Sequence, residues 1–434
     1  MANLMGLGLR AINRFAGSTL IDRLRLRRSS ERVLFHGARA GFRTAVAASR
    51  AFAVAQKLAK PARLPGARNT GLFDLTPSEE QQMLREAVQG FALEQLRPAA
   101  ANADAACAAP ADLLKQAGEL GLAQMGVPEE LGGAGSERSA MTSVLVTEAL
   151  AQGDAGLAIA ALAPVAVTNA LVLWGNEEQQ AKYLPALTGE KAPAAALCIL
   201  EPQPLFDPFA LHTRAKKVSD GYVLDGLKSL VPRAAACELF VVAAQIEGEG
   251  PALFVIESST PGLSTEREPA MGLRAAATGR IALQGVKLAA GARLTPDAHT
   301  YKECVHLARL GWCALAVGVA QAALDYLIPY VNERIAFGEP ISHRQSVAFA
   351  VANIGIELEG MRLATWRAAS RAERGESFAR ETTLARRLCA DKGAVIGSDA
   401  VQLLGGHGFV KEHPVERWYR DLRAVGLVEG VLLV

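Results

Sequence analysis

The end of the 434-residue sequence contains a carboxylate that could act as a base. An Arg420-Asp421 pair is followed eight residues later by Glu429, which precedes Gly430 and stands among Val and Leu residues. Desolvation disfavours the charged form of a carboxylate held among apolar residues, so its pKa rises toward neutrality. The pattern favours a general base at Glu429, although a glutamate near a chain end is also commonly solvated and idle.

Three further motifs lie upstream in the C-terminal third of the chain. Arg309 precedes a segment over 315–321 whose small residues permit close helix packing. The second motif contains Arg334, Phe337 and Gln345. The third contains Gln402, Gly405 and Gly406. Taken singly, Arg334 is also typical of a surface helix, the glycine pair of a helix C-cap, and Arg309 of a salt bridge.

The elements that must position these residues follow the order α, then β, then α. Capping residues predict helices that begin after Thr76 and after Asn176. Hydrophobic periodicity predicts further helices over 111–121, 140–151, 156–174, 302–333, 343–373 and 379–404. Short apolar runs over 238–244, 251–256 and 280–283 predict the strands of a small β domain. Because helices and strands do not alternate, the order argues against a doubly wound parallel sheet.

The predicted organisation is mostly α with a small β domain. The expected parts are a basic extension over 1–70, a helical domain over 73–190, a β domain over 191–297 and a helical bundle over 300–434. Half of the residues are hydrophobic and 21% are charged, which is ordinary for a globular protein. The six cysteines show no zinc-type spacing, so we expect buried free thiols and no metal site. We expect no membrane-spanning helix.

The basic extension is the most unusual part of the composition. Residues 1–70 carry 14 Lys and Arg against two acids, whereas the whole chain has a net charge of +2. Arginines beside apolar residues suit an interfacial helix on anionic lipid, and no motif indicates nucleic-acid binding. We therefore expect a cytoplasmic protein with peripheral membrane contact. A mitochondrial transit peptide and a solvated or partner-packed arm are the alternatives.

The succession and spacing of these motifs resemble the acyl-CoA dehydrogenase family of flavoproteins. Three N-terminal stretches, over 128–133, 147–151 and 175–185, resemble the family too, so the resemblance spans about 73–431. It implies a helical N-terminal domain, a middle β-barrel domain and a C-terminal four-helix bundle.

The resemblance also implies a reaction, the oxidation of an acyl-CoA thioester to the 2,3-enoyl-CoA with FAD, as in fatty acid β-oxidation. Glu429 takes the position of the base that removes the α proton while a hydride leaves the β carbon for flavin N5. The implied FAD contacts are Arg334, Phe337 and Gln345, with Gln402, Gly405 and Gly406 approaching the FAD of a neighbouring subunit, and Arg309 would line the acyl-CoA site. The implied partners are an electron-transfer flavoprotein and further copies of the chain in a dimer or tetramer.

The middle domain departs from the family pattern in two motifs. The loop Thr-Glu-Pro-Gly-x-Gly-Ser-Asp corresponds to 200–207, where Leu200 and Phe206 replace the hydroxyl residues and Glu201, Pro202 and Asp207 remain. In the motif Lys-x-Trp-Ile-Thr/Ser, Leu230 replaces the ring and Pro232 the hydroxyl.

These departures predict weakened flavin binding and leave other functions open. The alternatives are a weak or inactive relative that binds acyl-CoA, flavin or a partner, and a membrane-surface docking protein. The family sequence also continues beyond the Glu-Gly pair, whereas this chain ends in the apolar residues 431–434, so we expect a truncation or frameshift there.

Overall fold

The structure, a computed structural model, describes residues 75–133, 138–189, 191–295 and 297–429. Contacts divide the chain into two units, 1–72 and 73–434, and every described residue belongs to the second. The predictions for the basic extension and for the chain end therefore fall outside the described residues.

The N-terminal region is helical. Its helices are α1 (Glu79–Phe91), α2 (Arg97–Ala106), α3 (Ala111–Glu119), α4 (Ala140–Gly153), α5 (Ala155–Trp174) and α6 (Glu177–Leu187). The predicted cap at Thr76 is wrong by two residues, because Ser78 exchanges capping-box hydrogen bonds with Gln81. Asn176 caps α6 through the same kind of box, as predicted.

The middle region is a seven-stranded sheet. Its strands are β1 (Ala195–Cys198), β2 (Arg214–Val218), β3 (Gly221–Val231), β4 (Leu239–Ile246), β5 (Gly250–Glu257), β6 (Leu263–Arg267) and β7 (Gly279–Ala289). The order is β1-β4-β2-β3-β7-β6, with β5 also paired to β4. The predicted strands are confirmed in β4, β5 and β7. Strands β1, β2, β3 and β6 were not predicted, and of these β2 and β6 are mostly exposed and lack an apolar run.

Strand β4 explains how the sheet supports the helices. Its side chains alternate between two cores, as the two-residue period of a strand requires. Val241 packs with Leu171 of α5, whereas Phe240 packs with Ile281 of β7 inside the β domain. Because both faces are covered, β4 is apolar at every position except Gln245, and the sheet is attached to α5 along one face.

The C-terminal region is again helical. Its elements are α7 (Ala298–Glu333), the short strands β8 (Ile335–Ala336) and β9 (Glu339–Pro340), α8 (Gln345–Glu373), α9 (Ala379–Leu403) and α10 (Val415–Leu422). The three long predicted helices are confirmed in α7, α8 and α9. One apolar cluster contains residues of α7, α8, α9 and α10 together with residues of α1, α4 and α5, so the two helical regions share a core.

Two helices correct the expectation that no segment could span a membrane. By length and composition, helices α5 and α7 could each cross a membrane. Of the most apolar 18-residue stretch in each helix, 56% in α5 and 67% in α7 is buried inside the fold. Helix α5 has 20 residues and no charged side chain. Packing of these helices in the core accounts for their apolar composition.

Helix α7 approaches α4 closely at Gly318. A Cβ atom there would lie 2.2 Å from the Glu148 carbonyl oxygen and 2.7 Å from the Ala151 Cβ. We predict that Gly318→Ala lowers the free energy of unfolding by about 1–3 kcal/mol in chemical denaturation, because the helices must separate. Gly360→Ala is the matched control, since its Cβ would meet no atom closer than 3.9 Å. Helix propensity should make that variant neutral or more stable, and equal losses in both variants would contradict the close approach.

Candidate active site

A cavity of about 580 Å³ lies among α4, α5, α7 and the middle domain. This volume is within the range of small-molecule pockets. The middle domain contributes apolar side chains that include Leu200, Leu230 and Pro232, and the segment after α10 contributes Val428 and Glu429. The cavity therefore brings the predicted base together with residues of the two altered middle-domain motifs.

Glu429 occupies an unusual backbone conformation. Its φ is 50°, in the left-handed region that costs a residue with a Cβ atom about 1–2 kcal/mol. Such a conformation persists only where the surrounding contacts hold it.

Two buried arginines supply these contacts. Arg309 of α7 donates from Nε and Nη2 to the Glu429 carbonyl oxygen at 3.0 and 2.8 Å. Arg386 of α9 donates from Nη2 to the Val428 carbonyl oxygen at 2.7 Å. Both arginine residues are only 3% exposed. Two long helices thus fix consecutive carbonyl groups and, through them, the position of the Glu429 side chain.

The electrostatics of Glu429 suit proton transfer. Burial raises the pKa of its carboxyl to about 7, and the charges of Arg386 and Arg309 and a hydrogen bond from Trp312 oppose the rise. The Oε2 atom is buried and has no hydrogen-bond partner among the described residues. A carboxylate with a free oxygen and a pKa near neutrality is suited to act as a general base.

The surviving Glu201 of the altered loop has a structural role. Its carboxylate forms an ion pair with Lys228 at 2.9 Å, with both side chains at most 3% exposed. It also accepts hydrogen bonds from the backbone N–H groups of His212 and Thr213 at 2.7 and 2.9 Å. The loop is thereby held against β3 next to the cavity.

The middle-domain wall offers apolar contact to a cofactor. Leu230 has a φ of 50° at an irregularity in the β3–β7 pairing. Its backbone N–H donates to Glu268 Oε2 at 2.7 Å, and the Ser229 hydroxyl also bonds Glu268. Pro232 lacks a backbone N–H group, and Phe206 is buried in the core. A flat ring could stack on this wall. The side-chain hydroxyl that the family motif has at the position of Pro232 is absent.

A separate groove of about 850 Å³ gathers most of the predicted cofactor residues. Its lining includes Arg334, Phe337, Gln402, Gly405 and Gly406, whereas Gln345 lies beside it as the first residue of α8. The groove and the cavity share no lining residue.

The side chains and backbone of this groove are available to a ligand. Phe337 is 96% exposed, and Arg334 forms no ion pair with any residue that the structure describes. Gly405 follows Leu404, the C-cap residue of α9, and its φ of 57° is typical of the glycine just beyond a helix C-cap. A guanidinium beside a glycine pair suits a phosphate-containing group, which Arg can bind as a planar fork.

The structure places Arg309 differently from the substrate-binding position that the resemblance implies. The residue does not line the cavity, and its guanidinium lies 5.8 Å from the Phe209 ring while it holds the Glu429 carbonyl group. Substrate binding by Arg309 stays a prediction, and the observed contact is a positioning one.

Sequence reasoning missed Arg386 and Trp312. Arg386 shares the buried stripe of α9 with Thr382, Cys389 and Gly393, at helical spacing. An arginine within such a stripe is the signal that could have found it.

The fold and the buried carboxylate together define the class of the protein. Family models of the acyl-CoA dehydrogenase N-terminal, middle and C-terminal domains match residues 78–191, 196–286 and 299–432. The helical, β and helical regions described above correspond to these three domains. The chain belongs to the acyl-CoA dehydrogenase family.

Individual relatives agree with this assignment. The chain is 34% identical to the short/branched chain specific acyl-CoA dehydrogenase of Rattus norvegicus over 82% of this chain and 83% of the relative. It is also 34% identical to the short-chain specific acyl-CoA dehydrogenase of Bos taurus, over 81% and 87%. The structure of butyryl-CoA dehydrogenase from Megasphaera elsdenii matches with a TM-score of 0.77 at 28% identity, over 83% of this chain and 97% of that one.

The raised pKa of Glu429 predicts a pH-dependent effect on stability. The folded-state pKa of about 7 exceeds the ordinary 4.5, so folding favours the protonated carboxyl, and this contribution is lost as the pH rises through 7. Glu429→Gln should therefore raise the free energy of unfolding by about 1–3 kcal/mol at pH 8.5 and have little effect at pH 4.5. Chemical denaturation at both pH values measures this. The same difference at both would show that Glu429 has an ordinary pKa.

Proposed function

We propose that the protein oxidises acyl-CoA thioesters to 2,3-enoyl-CoA products with FAD. The observation that carries the proposal is Glu429, which lines the cavity and combines an unpaired Oε2 atom with a carboxyl pKa of about 7. A base with this pKa is partly deprotonated at neutral pH and accepts a proton in the transition state without a large penalty. FAD, when bound, supplies the acceptor for the hydride.

The helical walls of the cavity suit the acyl part of the substrate. Ile159 and Leu162 of α5 and Leu315 of α7 supply apolar lining, and Trp312 lies beside the base. We propose that these residues hold the acyl chain and exclude water from the α carbon. Exclusion of water keeps the carboxylate from being solvated when it must accept the proton.

We propose that a second copy of the chain completes the cofactor site. Arg334 and the Gly405-Gly406 pair line a groove that is separate from the cavity, so the groove of one copy would hold the phosphate-containing part of a cofactor whose ring lies in the other copy. Exposed apolar side chains along α8, at Phe349, Ile356 and Leu363, support a dimer or tetramer. An electron-transfer flavoprotein is the proposed acceptor of the electrons, by resemblance to the family.

The middle-domain wall favours a second candidate function. Leu230 and Pro232 line the cavity where the family pattern has a ring and a hydroxyl. Each lost hydrogen bond to the cofactor costs about 1–3 kcal/mol, so FAD should dissociate more readily than in relatives that keep the motif. A relative that binds acyl-CoA without oxidising it is therefore the alternative.

The flavin spectrum tests the proposal. We predict that protein reconstituted with FAD loses its visible flavin absorbance when an acyl-CoA is added anaerobically. Glu429→Gln should keep FAD bound but slow this reduction by about 100- to 10,000-fold, because the α proton has no acceptor.

Glu266→Gln is the matched control for the loss of a carboxylate, since the Glu266 side chain is 64% exposed, and it should reduce its flavin at the wild-type rate. Protein that binds acyl-CoA but cannot be reconstituted with FAD would overturn the proposal in favour of the alternative.

A further inference from the structure

One part of the cavity lining carries polar groups that lack protein partners. Arg138, just before α4, and Asn169 of α5 both line the cavity. Neither side chain forms a hydrogen bond or an ion pair within the described ranges. Of the hydroxyl groups near them, Thr142 accepts a hydrogen bond from Gln81 and Ser143 donates to the Ser139 carbonyl oxygen. Arg138 and Asn169 thus offer hydrogen-bonding groups that no described residue uses.

The two side chains meet over a glycine. A Cβ atom on Gly126 would lie 2.5 Å from Asn169 Oδ1 and 3.5 Å from Arg138 Cγ. The missing side chain at Gly126 lets Asn169 and Arg138 approach its backbone, so these three residues form one polar part of the cavity wall. We call it the Arg138 subsite.

The Arg138 subsite belongs to the helical lining of the cavity. Helices α5 and α7 pack directly on the middle domain, whereas α4 packs on α7 and α1 packs on α4. Arg138 precedes α4, and Gln81 of α1 lines the cavity with it. Asn169 belongs to α5, the same helix whose Ile159 and Leu162 are proposed above to hold the acyl chain. A substrate whose reacting carbon lies at Glu429 would therefore place its acyl group along the helix that carries Asn169.

The charge around the subsite is balanced. Burial lowers the pKa of the Arg138 guanidinium, and the carboxylates of Glu303 and Glu373 raise it. Glu80 and Glu373 also line the cavity. The subsite thus offers donors from Arg138 and Asn169 and acceptors from carboxylates and the amide oxygen, without a net positive charge. A second carboxylate would meet repulsion here.

We propose that the Arg138 subsite binds a neutral hydrogen-bonding group on the acyl chain, and that the preferred substrate is a hydroxylated acyl thioester. This inference rests on the proposed function. A hydroxyl group is both donor and acceptor, so it can use both kinds of partner in the subsite. An alkyl chain would instead give the donors of Arg138 and Asn169 no partner, which penalises that substrate.

Paired substrates test the inference. The set is alkanoyl-CoA, ω-hydroxyalkanoyl-CoA and ω-carboxyalkanoyl-CoA thioesters of four, six and eight carbons, with kcat/KM for anaerobic flavin reduction as the readout. At one chain length the hydroxylated substrate should be preferred over the alkyl one by about 10- to 100-fold. Arg138→Met and Asn169→Leu should each bring this ratio close to one. Arg380→Met, at an arginine whose side chain is 78% exposed, should keep it.

Three results would overturn the inference. They are a preference for the alkyl substrate, a hydroxyl preference that persists in both variants, and selection of the carboxylated substrate over the hydroxylated one. An equal loss for all substrates would place the subsite on the CoA arm and also reject the inference.

Failure of the proposed function gives a different pattern, in which no thioester reduces the flavin. Calorimetric Kd values for the same substrates and variants then decide on the subsite. Tighter binding of the hydroxylated than of the alkyl substrate, by about 10- to 100-fold and lost in both variants, supports the inference. Equal Kd values for the two substrates reject it.

Discussion

The site depends on two buried guanidinium groups that hold the backbone at Glu429, the proposed base. Arg309 and Arg386 donate to the carbonyl oxygens of Glu429 and Val428, and they extend from two different helices of one core. Glu429 has a left-handed backbone that needs such support. Because α7 also lines the cavity, Glu429 and the cavity walls are positioned by the same packed helices.

The same arginines set the balance of charge in the cavity. Burial raises the pKa of Glu429 and the two guanidinium charges lower it, so the carboxyl titrates near neutrality. The opposite wall is held by another buried pair, Glu201 and Lys228, which fixes the altered loop without offering a hydroxyl to the cavity. The buried carboxylate and its support are thus intact, whereas the middle-domain wall of the cavity is apolar at Leu200, Leu230 and Pro232.

The sequence predicted those parts of the structure that have a strong local pattern. Long apolar periodicity indicated α7, α8 and α9, and runs buried on both faces indicated β4 and β5, whereas the exposed β2 gave no such signal. The spacing of the motifs predicted Glu429 as a site residue. It did not predict the hydrogen bonds that hold the Glu429 backbone. Arg386 binds a backbone carbonyl 42 residues away, and any residue type can supply that acceptor, so no side-chain pattern marks the partner. Tertiary packing alone decides such contacts.

The pH dependence of flavin reduction in the Arg386→Met variant tests the central claim most directly. Single-turnover reduction by an acyl-CoA in the wild-type protein should rise with pH through a midpoint near 7, the pKa of Glu429. Arg386→Met removes a charge that lowers this pKa, so the midpoint should move to higher pH, while Arg386→Lys should keep it close to wild type. A midpoint that stays unchanged or falls in Arg386→Met would contradict the account.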